Sequence, residues 1–137
     1  MWAFFAVLAA VFASLTAIFS KIGLTDMDSN LATAIRVSFI LFLSWGIVLF
    51  TGAANGVKAA SANSLLFLFL SAITTCLSWL FYFKALQLGD VSKVAPVDKL
   101  SVPVTILLSF LVLGEPCTFK TATGGILVTL GSAVIIL

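Results

Sequence analysis

The sequence predicts an all-α integral membrane protein, a bundle of five helices, and three observations carry that expectation. Hydrophobic residues make up 62% of the 137 positions and charged residues only 9%, with a mean hydropathy of +1.28. A soluble domain of this size needs a polar coat that such a composition cannot supply. The apolar residues fall in five long runs, Trp2–Ser20, Leu31–Thr51, Ser64–Tyr82, Lys93–Leu113 and Thr121–Leu137, each close to the roughly 20 residues that cross a hydrocarbon core about 30 Å thick. The runs are continuous rather than alternating, which is a helical pattern and not that of a membrane β-barrel.

The first run, helix one at about residues 2–20, has no basic segment before it, because Trp2 follows Met1 directly. That favours an uncleaved membrane helix over a signal peptide. It ends near Lys21-Ile22-Gly23, and Asp26-Met27-Asp28 makes a short polar connection in which Asp28 or Ser29 can cap helix two, residues 31–51. Thr51-Gly52 closes helix two, and the small, polar stretch Ala53–Asn63 reads as the longest loop. Helix three runs over 64–86 and stops at Gly89-Asp90. Helix four begins near Ser92, covers 93–113 and carries Pro96 in its first turn and Pro103 deeper. Pro103 should kink the helix or free a backbone carbonyl, as a structural bend or a gating hinge. Leu113-Gly114-Glu115-Pro116 breaks the chain before helix five, residues 121–137; Glu115 stands at a helix end, suited to a capping role.

The five spans leave no room for a soluble domain, so residues 1–137 form one membrane domain. The net charge is +2 with no basic block, which gives nucleic-acid binding no support. Two cysteines, Cys76 inside a run and Cys117 in a loop, do not suit a disulfide or a metal site. The absence of histidine removes the commonest metal ligand and general base. With no nucleophile motif either, an enzyme is not expected, and neither is a cofactor.

An odd number of spans puts the termini on opposite sides. Lys58 and Lys120 lie in loops on the N-terminal side, and Lys21, Lys84 and Lys93 on the other, two against three. The positive-inside rule works through larger differences. Either other features orient the chain, or it inserts both ways and pairs antiparallel.

Ionisable groups within spans cost a few kcal/mol on insertion scales and mark function or a paired structural site. Arg36 lies about two turns into helix two, and Asp98 and Lys99 one to two turns into helix four. All three fall in the same half of the membrane, with Lys84 crowding that side. One reading is an ion pair of Asp98 with Arg36 or Lys99, with long basic side chains snorkelling outward. The other is a positive vestibule that favours anionic or zwitterionic solutes, in which Asp98 is the carboxylate suited to proton coupling. Trp79, Phe81, Tyr82 and Phe83 read as an interfacial belt, or, with Trp79 and Phe83 four apart and Trp45 nearby, as a cavity wall. On helix five, Gly125, Thr129 and Ser132 form a small, partly polar stripe, either a dimer contact or packing inside one protomer.

Lys21-Ile-Gly-Leu24, Ser29–Arg36, Ser78–Asp90, Val94–Ser101 and Leu113-Gly-Glu115, in this order and spacing, resemble the EamA domain of the drug/metabolite transporter superfamily over nearly the whole chain. Most members of that family carry two such units in inverted orientation, ten helices around a solute path. This sequence has one, so the resemblance implies a homodimer of oppositely oriented copies. It names no substrate and supplies no established binding residue. Small multidrug-resistance pumps are similar in size but use a glutamate in helix one, where this chain has only Ser14, Thr16 and Ser20 as polar groups.

Together these readings predict a secondary transporter of small metabolites in the bacterial inner membrane, an antiparallel homodimer working by alternating access. Arg36, Asp98, Lys99, Lys84, Trp79 and Tyr82 are the solute-binding or coupling candidates, Pro96 and Pro103 the hinges, and Gly125, Thr129 and Ser132 the dimer contact. A flippase for a lipid-linked anionic substrate and a non-transporting membrane subunit are the alternatives.

Overall fold

The computed structural model describes residues 1–137; the Lys58 side chain, counted above among the loop charges, lies outside the described residues. Every regular element among the described residues is helical: α1 (Trp2–Gly23), α2 (Ser29–Phe50), a 3₁₀ segment (Ala53–Ala59), α3 (Ala62–Leu88), α4 (Val91–Asp98), α5 (Ser101–Leu108), a π-helical turn (Ser109–Leu113) and α6 (Phe119–Ile136). Five stretches are long and apolar enough to cross a membrane, with Val91–Leu113 counting as one. The all-α membrane fold expected from the five apolar runs is the fold observed.

The helix ends follow local chemistry. The Asp28 carboxylate accepts from the backbone N–H groups of Asn30 at 2.8 Å and Leu31 at 3.3 Å, which satisfies two of the free donors at the start of α2. Thr118 caps α6 the same way, accepting from the Thr121 N–H at 3.2 Å. Gly52 and Gly114 follow α2 and the π turn with φ of 71° and 67°, left-handed values where a side chain is disfavoured. The Glu115 backbone N–H donates to the Ser109 carbonyl at 3.2 Å and closes the π turn. Hydroxyls along the spans, among them Ser14, Thr16, Thr33, Ser38, Ser44 and Thr123, donate to carbonyls four residues back. Polar side chains thereby enter hydrocarbon without stranded donors.

The fourth span differs from the expectation in two ways. Pro96 is the sixth residue of α4, in its second turn rather than its first, because the helix starts at Val91. The break falls not at Pro103 but three to four residues before it. Proline offers no N–H and its ring crowds the carbonyl of the residue four back, here Lys99. The backbone answers with tighter bonds: Lys99 N–H to Pro96 O at 3.1 Å, Leu100 N–H to Val97 O at 3.0 Å and Val102 N–H to Lys99 O at 2.9 Å. The span is thereby cut into α4 and α5.

The chain divides into two compact units, one made of Met1–Lys21 with Leu88–Leu137, the other of Ile22–Gln87. In the first, α4 and α5 pack on α6. Gly125 of α6 is buried at that contact, where a Cβ would lie 3.2 Å from Ile106 Cδ1 and 3.8 Å from Pro103 Cα. In the second, Leu24, Ser29, Ala32, Thr33, Phe83 and Leu86 are buried. Long stretches of α1, α2 and α3 keep large apolar side chains on the outside, a surface suited to lipid rather than water.

Candidate functional site

In the Ile22–Gln87 unit, α2 and α3 bring one charge against two rings. Arg36 is the eighth residue of α2, about 10 Å along the axis from Ser29 at 1.5 Å per residue. Trp79 and Phe83 are four apart on α3 and so share a face. The guanidinium carbon lies 4.4 Å from the Trp79 ring centroid and 5.5 Å from that of Phe83. Phe83 is 3% exposed, and Trp79, Tyr82 and Arg36 are half-buried. Tyr82 meets Phe83 edge-on at 6.5 Å. Cation–π attraction holds the charge in place, but ring faces take none of its five in-plane N–H donors. Among the described residues, no carboxylate forms an ion pair with Arg36, and no buried nitrogen lacks a hydrogen-bond partner. The guanidinium edge is therefore accessible.

The ion pair weighed from the sequence forms elsewhere. Lys99 Nζ lies 3.2 Å from Asp98 Oδ2, with side chains 55% and 38% exposed. The two residues are chain neighbours at the α4–α5 break, so the pair is local. Lys84 joins neither cluster. Its ammonium donates to Gln87 Oε1 at 3.0 Å, and Gln87 Nε2 donates to the Met27 carbonyl at 3.3 Å, tying the end of α3 to the loop before α2. Trp45 lies nine residues beyond Arg36, roughly 13 Å further along α2, and is 48% exposed.

The stripe on α6 divides. Gly125 meets Pro103 and Ile106 of α5, and the buried Ser132 hydroxyl donates to the Pro96 carbonyl at 2.8 Å. Both serve packing within one protomer. Thr129 is exposed, donates to its own Gly125 carbonyl at 2.9 Å and lines an apolar groove of ≈ 310 Å³ between α5 and α6. The Ser132–Pro96 bond was not read from the sequence. Its signal was available: a proline-broken helix has freed carbonyls, and a serine on a small-residue face is a donor suited to them. Replacing Ser132 with alanine is expected to lower the thermal unfolding midpoint in detergent by the equivalent of about 0.6 kcal/mol, the usual worth of such an interhelical bond.

Lys21 Nζ donates to the Gly89 carbonyl at 2.8 Å, just beyond the end of α3. This cation completes the C-terminal carbonyls of a long helix, and it too was not anticipated.

Comparisons with known proteins agree on the class of molecule. The sequence pattern of the EamA-like transporter family matches residues 1–137. A protein of Sinorhizobium sp., named an uncharacterized transporter in the cobO 3′ region, is 40% identical over 134 residues, which cover 98% of this chain and 95% of that protein. No solved structure matches the chain.

Proposed function

Because the chain belongs to the EamA-like transporter family, we propose that it is a secondary transporter that carries small anionic or zwitterionic metabolites across the bacterial inner membrane. Family and fold support an integral membrane transporter; solute, dimer and mechanism are this proposal. The observation that carries it is Arg36. A cation in a membrane-spanning helix costs about 2.5–3.5 kcal/mol at the helix centre on insertion scales. Among the described residues this one has rings but no carboxylate to offset it. Such a group is expected to bind the negative end of a solute, with Trp79 and Tyr82 as apolar walls.

Asp98 holds Lys99 and is the proposed site of proton coupling. The test is flux under an imposed pH gradient: Asp98→Asn proteoliposomes should lose the gradient dependence of uptake that the parent protein shows. An unchanged dependence would exclude Asp98 from coupling.

The working form is an antiparallel homodimer that alternates access between two sides. The residues described form five membrane-length helices, and a path built from ten helices would take two such units in opposite orientation. With Gly125 and Ser132 engaged inside the protomer, Thr129, Leu127 and Val134 are among the outward side chains of α6 that a partner would meet. Reporter fusions to the C-terminus are expected to give signal from both faces of the membrane. Signal from one face alone would rule out the opposed pair.

A further inference from the structure

We infer that the Arg36 site selects a singly charged oxyanion, a carboxylate in the first instance, on a planar apolar body; this rests on the transporter reading and names its substrate class. The first argument is charge balance. In the Ile22–Gln87 unit, Arg36 is the charge set against the rings, while the exposed Lys84 ammonium is turned to Gln87 Oε1 at 3.0 Å. In a poorly screened interior a monoanion cancels the Arg36 charge, whereas a dianion leaves a residual negative charge and a cation adds to the positive one. The fork of guanidinium N–H donors matches a carboxylate edge with two parallel bonds.

The second argument concerns the rest of the solute. Around Arg36 the unit presents Trp79, Phe83 and, one turn back on α2, the buried Ala32. The Thr33 hydroxyl donates to the Ser29 carbonyl at 2.8 Å, and Lys84 is committed to Gln87. Beyond the Tyr82 phenol, which lies within electrostatic reach of Arg36, a body rich in hydroxyl groups would lose water there with little replacement, and an apolar ring would not.

The third argument separates a solute from a lipid headgroup. The guanidinium lies closer to Trp79 than to Phe83, and Trp79 is nine residues from the end of α3 while Phe83 is five. The side chain therefore leans toward the deeper ring, roughly 13 Å along the axis from that helix end, and not toward the interface where phosphates reside.

The test uses the full chain in nanodiscs with Trp2→Phe and Trp45→Phe, so that Trp79 alone reports by fluorescence. Benzoate, isophthalate, benzamide and benzyltrimethylammonium are titrated at pH 7. Benzoate is expected to give a saturable change, isophthalate to bind at least tenfold more weakly, and benzamide and the cation not to saturate. Arg36→Gln should raise the benzoate half-saturation at least tenfold, with Arg36→Lys in between. Equal affinity for benzamide or isophthalate, no benzoate response, or an unchanged response in Arg36→Gln overturns the inference. The ligand series needs no change at Arg36, so a variant that fails to fold leaves it intact. Nanodiscs of phosphatidylcholine and of phosphatidylglycerol should give the same benzoate response. A Trp79 shift produced by phosphatidylglycerol, with benzoate inert in phosphatidylcholine, assigns the site to a headgroup and overturns the proposal. If the benzoate series fails while Arg36-dependent uptake of a mixed metabolite extract persists, the substrate class is wrong and transport stands; if both fail, both readings fall.

Discussion

Uptake by proteoliposomes of a ¹³C-labelled bacterial metabolite extract, read by mass spectrometry, is expected to fall roughly 10- to 150-fold for the affected solutes when Arg36 becomes glutamine. That range follows from the worth of hydrogen bonds to a charged group, about 1.5–3 kcal/mol, at about 1.4 kcal/mol per factor of ten. Glutamine keeps length and some hydrogen bonding but loses the charge and the fork. Arg36 makes no ion pair among the described residues, so removing it strands no buried carboxylate. Stability should therefore change little beyond the lost cation–π contacts with Trp79 and Phe83, about 0.5–2 kcal/mol. Loss of transport with a preserved unfolding midpoint is the informative outcome. Full flux in Arg36→Gln would remove the residue from the solute path.

A leucine at Gly125 is expected to produce the largest stability loss of any of these single changes. A Cβ at this site would stand 3.8 Å from the Pro103 backbone and 3.2 Å from Ile106 Cδ1. Overpacking of this kind typically costs about 1–3 kcal/mol and occasionally more, and here it forces α6 away from α5 and strains the Ser132–Pro96 bond. Alanine should be nearly neutral. Its methyl meets the far end of a flexible isoleucine, and glycine inside a helix already carries a penalty of about 0.5–1 kcal/mol relative to alanine. Gly131 is the control, because no described residue stands within 4 Å of a Cβ there. Thermal unfolding in detergent should rank Gly125→Leu well below Gly131→Leu. Equal midpoints would sink the packing role given to Gly125.

The parts of this fold legible in the sequence are those set by neighbours along the chain. Five apolar runs, a capping aspartate at Asp28 and stops at Gly52 and Gly114 all act within a few residues, and all are found where expected. The bend in the fourth span was legible as a consequence of Pro103, but its position was not, because proline disturbs the residues before it and the strain settled at Lys99–Leu100. Long-range partners were harder. Arg36 was marked by its cost in the membrane and Trp79 and Phe83 by their spacing. That the rings belong to the arginine depends on how α2 and α3 face each other, which no local signal encodes. From the sequence, Lys84 crowds the membrane side of Arg36, Asp98 and Lys99 because it stands near the end of the third run. A helix turns about 100° per residue, so Lys84 instead turns to Gln87.

The severed fourth span has a mechanical consequence. An intact helix in hydrocarbon resists bending because each degree of tilt stretches bonds that no water can replace. Between Pro96 and Pro103 those ties are already rerouted: Leu100 and Val102 reach back three residues, and the Ser132 hydroxyl tends the Pro96 carbonyl. The two halves thus meet as at a knuckle with a clasp across it. Flexing such a joint ruptures no four-residue bond at Leu100 or Val102, so bending there is expected to cost less than in an unbroken helix.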